Sequence, residues 1–126
     1  MRKEIVDGTE VIDSYARAVR KRGHIHVSGT TSMDADGHVV GSDLYEQSLE
    51  SYRKVLDVLA SAGGSVSDVV RVVVYVTDIS APEGFMRAHR ETFATVRPAA
   101  TLVEVSGLVD AAMLVEIEAY AIVDDD

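Results

Sequence analysis

The chain has 126 residues, of which 47% are hydrophobic, and a formal net charge of −9. This length and apolar content suit one compact domain, which we expect to span residues 1–126. The acidic balance argues against a nucleic-acid partner, since phosphate contacts need clustered Lys and Arg side chains. The sequence contains no Cys, which excludes disulfides and thiolate chemistry.

No segment resembles a signal peptide, and no apolar run approaches the roughly 20 residues that cross a bilayer. We therefore expect a cytoplasmic protein with no membrane partner. One small basic cluster falls at a predicted hairpin turn and consists of Arg17, Arg20, Lys21 and Arg22. We interpret these side chains as solvated turn charges.

Two strands joined by a tight turn open the predicted structure. Residues 13–20 form the first strand, Lys21-Arg22-Gly23 the turn, and residues 24–29 the returning strand. His24 and His26 share one strand face, as two metal ligands can. No third ligand has a motif spacing to them, so we predict no metal site.

Residues 30–42 are predicted to form a loop, with a short strand at residues 38–40. Its tight turn, Asp34-Ala35-Asp36-Gly37, resembles part of a calcium loop. No Glu stands at the closing position of that pattern, so a plain turn is the better interpretation.

A first helix is predicted from a cap at Ser42 or Asp43 to Ala62. Gly63-Gly64 ends it, because glycine readily adopts the left-handed conformation that closes helices. One stripe at helical spacing faces the core and contains Leu44, Ser48, Tyr52, Val55, Leu56 and Leu59.

A β-branched run over residues 69–77 predicts a central strand that is buried on most of both faces. The helix-length crossover before it permits a parallel neighbour. Pro82 lies near the start of a second helix over residues 83–94. The side chains of this helix that are predicted to face the core are Phe85, Met86, His89 and Phe93.

Two strands close the chain, over residues 101–105 and 114–123. In the second strand Glu116, Glu118 and Tyr120 lie on one face. The other face is apolar and consists of Val115, Ile117, Ala119, Ala121 and Val123. Acids within so apolar a segment are costly to bury and are candidates for chemistry. The pattern also fits the solvated face of an antiparallel sheet.

The order β-β-(β)-α-β-α-β-β predicts an α+β fold, with two helices packed on one face of a mixed sheet. The other sheet face is rich in apolar and β-branched side chains. We therefore predict that copies of the chain associate through it.

Short motifs along nearly the whole chain resemble the RidA/YjgF family, also labelled endoribonuclease L-PSP. The motifs are Ser14-Tyr15, Val27-Ser28-Gly29, Gln47-Ser48-Leu49, Ala62-Gly63, Asp68-Val69-Val70-Arg71-Val72, Val74-Tyr75-Val76-Thr77-Asp78-Ile79, Arg97-Pro98-Ala99, Thr101-Leu102-Val103-Glu104-Val105, Leu108 and Val115-Glu116-Ile117-Glu118-Ala119. The resemblance implies a chorismate-mutase-like fold and a homotrimer with a central β-barrel and small-molecule clefts between subunits. It also implies hydrolysis of enamines or imines to a keto acid and ammonia, without metal or cofactor.

The resemblance also assigns roles to residues. Glu116 corresponds to the family's catalytic Glu, Tyr15 to its substrate-binding Tyr, and Ser28-Gly29-Thr30 to the turn that supplies backbone groups. The family's carboxylate-binding Arg lies in a Pro-x-Arg-Thr motif, where this chain has Pro98-Ala99-Ala100-Thr101. Ala100 thus stands at the Arg position, and it offers no donor in place of a bidentate guanidinium.

Candidates for a replacement cation are Arg17, Arg71 and Arg97. We rank Arg17 first because it shares a strand face with Tyr15, and a neutral or cationic ligand is the alternative. A half-buried Glu116 suits proton transfer to a C=N compound, whereas Glu118 is predicted to matter for assembly.

Two functions stay open. The first is an enamine or imine hydrolase of altered specificity, and the second is a ligand-binding or regulatory trimer that has lost the reaction. The negative charge disfavours the nuclease activity that the family label suggests.

Overall fold

A computed structural model describes residues 1–10 and 13–124. The elements of this part of the chain are β1 (Arg2–Ile5), β2 (Ala18–Lys21), β3 (His24–Thr30), α1 (Leu44–Ser61), a 3-10 turn (Val66–Asp68), β4 (Val69–Val76), α2 (Glu83–Phe93), β5 (Ala99–Glu104) and β6 (Val115–Ile122). The predicted hairpin, both helices and the last three strands are therefore present, and their ends shift by at most two residues apart from the start of the first hairpin strand.

The strands form one mixed sheet in the spatial order β1-β2-β3-β6-β4-β5. β4 and β5 are parallel and are joined by α2, and the other neighbours are antiparallel. β3 and β4, which α1 connects, run in the same direction but are separated by β6. The predicted helical crossover before β4 is therefore present. The parallel neighbour of β4, however, is β5, which follows it in the chain, and not β3, which precedes the crossover.

Both helices pack on one face of the sheet, as the sequence predicts. The buried cluster joins Tyr52, Val55 and Leu59 of α1 to alternate side chains of the central strands, which are Ile25, Val27, Val72, Val74, Val76, Val115, Ile117, Ala119 and Ala121. On the opposite face Val73, Tyr75 and Glu118 are only half-buried. Within one copy β4 is therefore buried on one face, and not on most of both.

Helix α1 begins and ends where its sequence signals indicate. The side chain of Asp43 accepts a hydrogen bond from the backbone N–H of Glu46, and Gly63 has a φ of 89°. Arg20 donates to the carbonyl oxygen of Ala62 at 2.9 Å and so stabilises the carboxyl end of the helix. The interpretation of Arg20 as a solvated turn charge is therefore wrong.

The structure differs from the sequence predictions in four places, the first of which is a strand that was not predicted. Strand β1 lacks an apolar alternation that would reveal it, because its first three residues are polar and exposed. The strand predicted to begin at residue 13 begins at Ala18. The strand predicted at residues 38–40 is an isolated bridge between Met33 and Val39. Met86, which was predicted to face the core, is exposed on α2.

Candidate functional site

The candidate site forms where β3 departs from regular pairing with β6. The register of the two strands shifts between Val27 and Thr30, and Gly29 lies against the side chain of Glu116. A Cβ atom at Gly29 would stand 2.8 Å from the carboxyl carbon of Glu116 and 3.1 Å from each carboxylate oxygen. Glycine is therefore needed here for the close approach of the carboxyl group.

A pocket of about 50 Å³ opens beside this contact. Its polar lining comes from Thr9, Tyr15, Arg17, Gly29, Thr31 and Glu116, and its apolar lining from Met33, Val109 and Met113. The structure thus brings together four predicted site residues from separate segments of the chain, which are Tyr15, Arg17, Gly29 and Glu116. The apolar wall could not be predicted from the sequence, because its side chains follow no motif.

Arg17 is a buried residue of this pocket and not a solvated turn charge, since only 4% of it is exposed. Its Nη2 donates to the carbonyl oxygen of Gly29 at 2.5 Å, and its guanidinium lies 5.4 Å from the ring centroid of Tyr15. Its Nε has no hydrogen-bond partner within the described residues. An unpaired buried donor is costly, so this N–H is an unsatisfied group beside the pocket.

The half-buried acid of the pocket is Glu116. Burial raises the pKa of its carboxyl group, the positive charge of Arg17 opposes that rise, and the nearby Glu118 adds to it. A carboxyl group with a raised pKa exchanges its proton closer to neutral pH, as general acid–base catalysis requires.

A second buried cation supports the wall of the pocket from behind. Lys54 of α1 donates to the carbonyl oxygens of Thr31 at 2.9 Å and of Met33 at 2.7 Å. Together with Arg17, it holds the alternate carbonyl groups of residues 29, 31 and 33. The sequence offered no signal for this role, because a helical Lys is ordinarily solvated.

The loop before β6 is fixed by one buried side chain, Gln47. Its amide nitrogen donates to the carbonyl oxygen of Ala112 at 2.9 Å, and its amide oxygen accepts from the backbone N–H of Leu114 at 2.8 Å. This loop carries Val109 and Met113, so α1 positions part of the pocket wall.

The other nominated residues lie outside the pocket lining. The hydroxyl group of Ser28 donates to the carbonyl oxygen of Ala16, and that of Thr30 to the carbonyl oxygen of Ser28, both at 2.7 Å. These bonds stabilise the end of β3 beside the pocket.

Ala100 and Thr101 lie on β5, which β4 separates from β6. Ala100 pairs with Val72, whose buried side chain faces the helices, so it lies on the sheet face opposite to Glu116. The side chain of Thr101 accepts a hydrogen bond from Arg71 at 3.2 Å. Within one copy these two residues therefore lie apart from the pocket.

Glu118 belongs to a different cluster, on the sheet face that the helices do not cover. Its two carboxylate oxygens accept hydrogen bonds from the hydroxyl groups of Tyr75 and Tyr120. The bond to Glu118 raises the pKa of Tyr75 to about 12. The ring of His26 stands edge-on to Tyr120, with centroids 5.3 Å apart.

The turn at Asp34 behaves as the sequence predicts. Asp34, Asp36 and His38 each have one potential ligand atom within 4.8 Å of the others in the described part of the chain. The carboxylate of Asp34, however, accepts the backbone N–H groups of Asp36 and His38 at 3.0 and 2.9 Å. Such bonds are those of a turn-forming Asp.

The fold is that of a chorismate-mutase-like α+β protein, with two helices on a mixed six-stranded sheet. The model of the family described as endoribonuclease L-PSP matches residues 7–123. The chain therefore belongs to this family, which is also called RidA/YjgF. No helix within residues 1–10 and 13–124 is long and apolar enough to cross a membrane.

Known proteins resemble the chain over most of its length. A crystal structure of a YjgF/YER057c/UK114-family member from Mycobacterium tuberculosis has a TM-score of 0.88 and 36% identity, covering 98% of this chain and 100% of that one. A RutC family protein from Pyrococcus abyssi is 32% identical over 125 residues, 96% of this chain and 98% of its own length. The 2-iminobutanoate/2-iminopropanoate deaminase of Salmonella typhimurium is 30% identical over 118 residues, 88% of each chain.

Proposed function

We propose that this protein hydrolyses small enamines or imines, in clefts between the subunits of a homotrimer. The observation that carries the proposal is the pocket in which the half-buried carboxyl group of Glu116 lies beside Arg17 and Tyr15. A proton-exchanging acid next to a fixed positive charge suits hydrolysis of a C=N bond on an anionic substrate. The similarity to a 2-iminobutanoate/2-iminopropanoate deaminase supports this reaction class.

The reaction runs through proton transfers at Glu116. Protonated Glu116 delivers a proton to the enamine carbon, which gives an iminium ion. The resulting carboxylate accepts a proton from water while the water oxygen bonds to the iminium carbon. Glu116 then protonates the nitrogen, the C–N bond breaks and its electron pair leaves with ammonia. The hydroxyl proton returns to Glu116 as the carbonyl group of the keto acid forms.

Arg17 takes the anion-binding role that Ala100 cannot fill. Its guanidinium is fixed by the carbonyl group of Gly29 and retains an Nε–H without a partner among the described residues. Because Gly29 already occupies one N–H group of this guanidinium, we expect the substrate carboxylate to be held less tightly than by a free bidentate Arg.

Ala100 favours a second candidate, a ligand-binding or regulatory trimer without turnover. Loss of a buried charged contact costs on the order of 2–5 kcal/mol. If Arg17 does not replace the missing contact, a loss of this size removes most of the catalytic rate.

The deciding experiment measures turnover of freshly generated 2-aminoacrylate by the unmodified protein, Glu116→Gln, Glu118→Gln and Ala100→Arg. We expect turnover by the unmodified protein that is lost in Glu116→Gln. Glu118→Gln, the matched acid on the same strand face, is expected to keep turnover where it sediments at the same mass as the unmodified protein. Activity in Ala100→Arg alone overturns the role of Arg17 but leaves Glu116 intact as the acid. Inactivity of all four proteins overturns the proposed hydrolysis and favours the binding function.

The trimer needs its own measurement. The sheet face that the helices leave uncovered carries the half-buried residues Val73, Tyr75 and Tyr120, and we propose that it becomes buried between copies. Sedimentation equilibrium is expected to give three times the chain mass, and a monomer at micromolar concentration contradicts the proposal.

A further inference from the structure

Residues 29–33 leave the sheet at the end of β3. The last pair of the β3–β6 ladder joins Thr30 to Ile117, and the chain then continues to the turn at Asp34. A carbonyl group that is shielded from water needs a hydrogen-bond donor. Beyond the last pair of the ladder, these donors come from side chains and from the following loop.

On one side of this segment, two cationic side chains take the place of a neighbouring strand. Arg17 donates to the carbonyl oxygen of Gly29, and Lys54 donates to the carbonyl oxygens of residues 31 and 33. The carbonyl oxygen of Ser32 accepts instead from the backbone N–H of Val40, at 3.1 Å. One lysine side chain thus satisfies two peptide groups that a paired strand would otherwise satisfy.

The segment that Lys54 holds belongs to the site. Its first residue, Gly29, lies against the carboxyl group of Glu116, and Thr31 and Met33 line the pocket with that carboxyl group. Lys54 itself belongs to α1, which packs on the helix-covered face of the sheet. Its contacts with the segment therefore form within one copy, however the copies associate.

Lys54 is buried, with 8% of the residue exposed. Burial and the positive charge of Arg17 lower the pKa of Lys54, and the carboxylates of Asp7 and Glu50 oppose this change. The two carboxylates thus favour the ammonium form, which donates stronger hydrogen bonds than a neutral amine.

We propose that Lys54 is a positioning residue of the site, which fixes residues 31–33 as a wall that keeps water away from the carboxyl group of Glu116. In its consequence for turnover, this inference rests on the proposed function. In its consequence for the surroundings of Glu116, it stands independently of any reaction.

The position and the charge of Lys54 have opposite effects on Glu116. Burial raises the pKa of Glu116, so a loosened wall that admits water lowers this pKa. Removal of a positive charge alone would raise it. The other titratable groups that face Glu116 within the described residues are unchanged in the test and are Tyr15, Arg17, Tyr75 and Glu118.

The test is Lys54→Met, which keeps an unbranched side chain and removes the donors. An NMR titration is expected to give a lower pKa for Glu116 than in the unmodified protein. The kcat/KM for 2-aminoacrylate is expected to fall about tenfold, because the wall no longer holds its place. Lys54→Arg, which can donate to both carbonyl groups, is expected to restore both values.

The matched control is Arg53→Met, which removes the adjacent cation of the same helix. Arg53 pairs with Glu50 and Asp57 on the exposed side of α1, and its loss is expected to leave both values unchanged. If Lys54→Met does not fold, Lys54→Gln takes its place, because its shorter side chain does not span both carbonyl groups.

Each other outcome decides the question. An unchanged or raised Glu116 pKa in Lys54→Met overturns the inference, as does an equal fall in Arg53→Met. A Lys54→Arg variant that matches Lys54→Met assigns the effect to packing and also overturns it. A lowered pKa with unchanged kcat/KM overturns the positioning role. A lowered pKa in a protein whose unmodified form turns over no imine supports the wall and overturns the proposed hydrolysis.

Discussion

The carboxyl group of Glu116 rests directly on the backbone of Gly29, where a single added carbon atom would stand 2.8 Å from its carboxyl carbon. The contact joins the acid on β6 to the end of β3. That part of β3 is itself held by Arg17 through the carbonyl group of Gly29. The position of the acid thus depends on a residue that has no side chain.

Gly29→Ala is expected to displace the carboxyl group and to lower kcat at least tenfold. The fold is expected to tolerate the change, because the contacted atoms lie at the flexible end of Glu116 and Gly29 does not have a positive φ. Turnover of 2-aminoacrylate and a thermal melt measure the two effects. A Gly29→Ala variant that keeps the kcat of the unmodified protein contradicts the role of this contact in placing the acid.

Arg17→Met is expected to raise the pKa of Glu116 further, because the positive charge that opposes the rise is removed. It is also expected to cost about 1–3 kcal/mol of stability, since the carbonyl group of Gly29 loses a charged donor. An NMR titration of the Glu116 carboxyl group measures the first effect and urea unfolding the second. An unchanged Glu116 titration contradicts the electrostatic link between the two residues.

His89 is expected to make stability fall in mild acid. Its Nδ1 lies 2.8 Å from the hydroxyl oxygen of the buried Tyr52, and desolvation lowers its pKa below 6.5. The unfolded chain therefore binds the proton more readily than the folded chain. The contribution is present above the unfolded pKa of His89 and is lost as the pH falls through that value toward the lower folded pKa.

Urea unfolding between pH 5 and pH 8 tests this dependence, with His89→Asn as the control. The Asn side chain keeps a hydrogen-bonding group near Tyr52 and does not titrate. The loss of stability near pH 6 is expected to shrink in this variant, and a loss of equal size excludes His89 as its source.

Glu118→Gln is expected to lower the pKa of Tyr75 from about 12 toward 10. The cause is the loss of the carboxylate that accepts the phenol's hydrogen bond. Because the folded pKa is raised, the stability from this pair is present below pH 10 and is lost as the pH rises through the folded value. Spectroscopic titration of tyrosinate measures the change. Tyr45, whose pKa is raised by Glu91 instead, provides a comparison that should not move.

Much of the fold and part of the site follow from local patterns in the sequence. The alternation in β6 placed Glu116 and Glu118 on one face and the buried apolar residues on the other. Capping signals at Asp43 and Gly63 fixed the ends of α1. These predictions succeed because they depend only on a few neighbouring residues. The side-chain period of a strand or helix sets which residues share a face, and local capping groups set where a helix ends.

The burial of two cations could not be predicted from such local patterns. Arg17 and Lys54 look like ordinary surface charges in the sequence, yet both are buried against carbonyl groups at the end of β3 and just after it. Their environment is set by acceptors 12 and 23 residues away. No periodic pattern in the sequence indicates contacts over such separations.

By itself, the sequence determined the class of fold, the faces of its strands and the acid at position 116, because side-chain periodicity decides which face is buried. Only the tertiary structure decided which groups meet that acid. Strand pairing brought Gly29 against Glu116, whereas sheet order left Ala100 beyond β4 on the other face. The physical reason is that pairing register and strand order are set by contacts between distant segments, and a shift of one residue reverses the direction of every side chain.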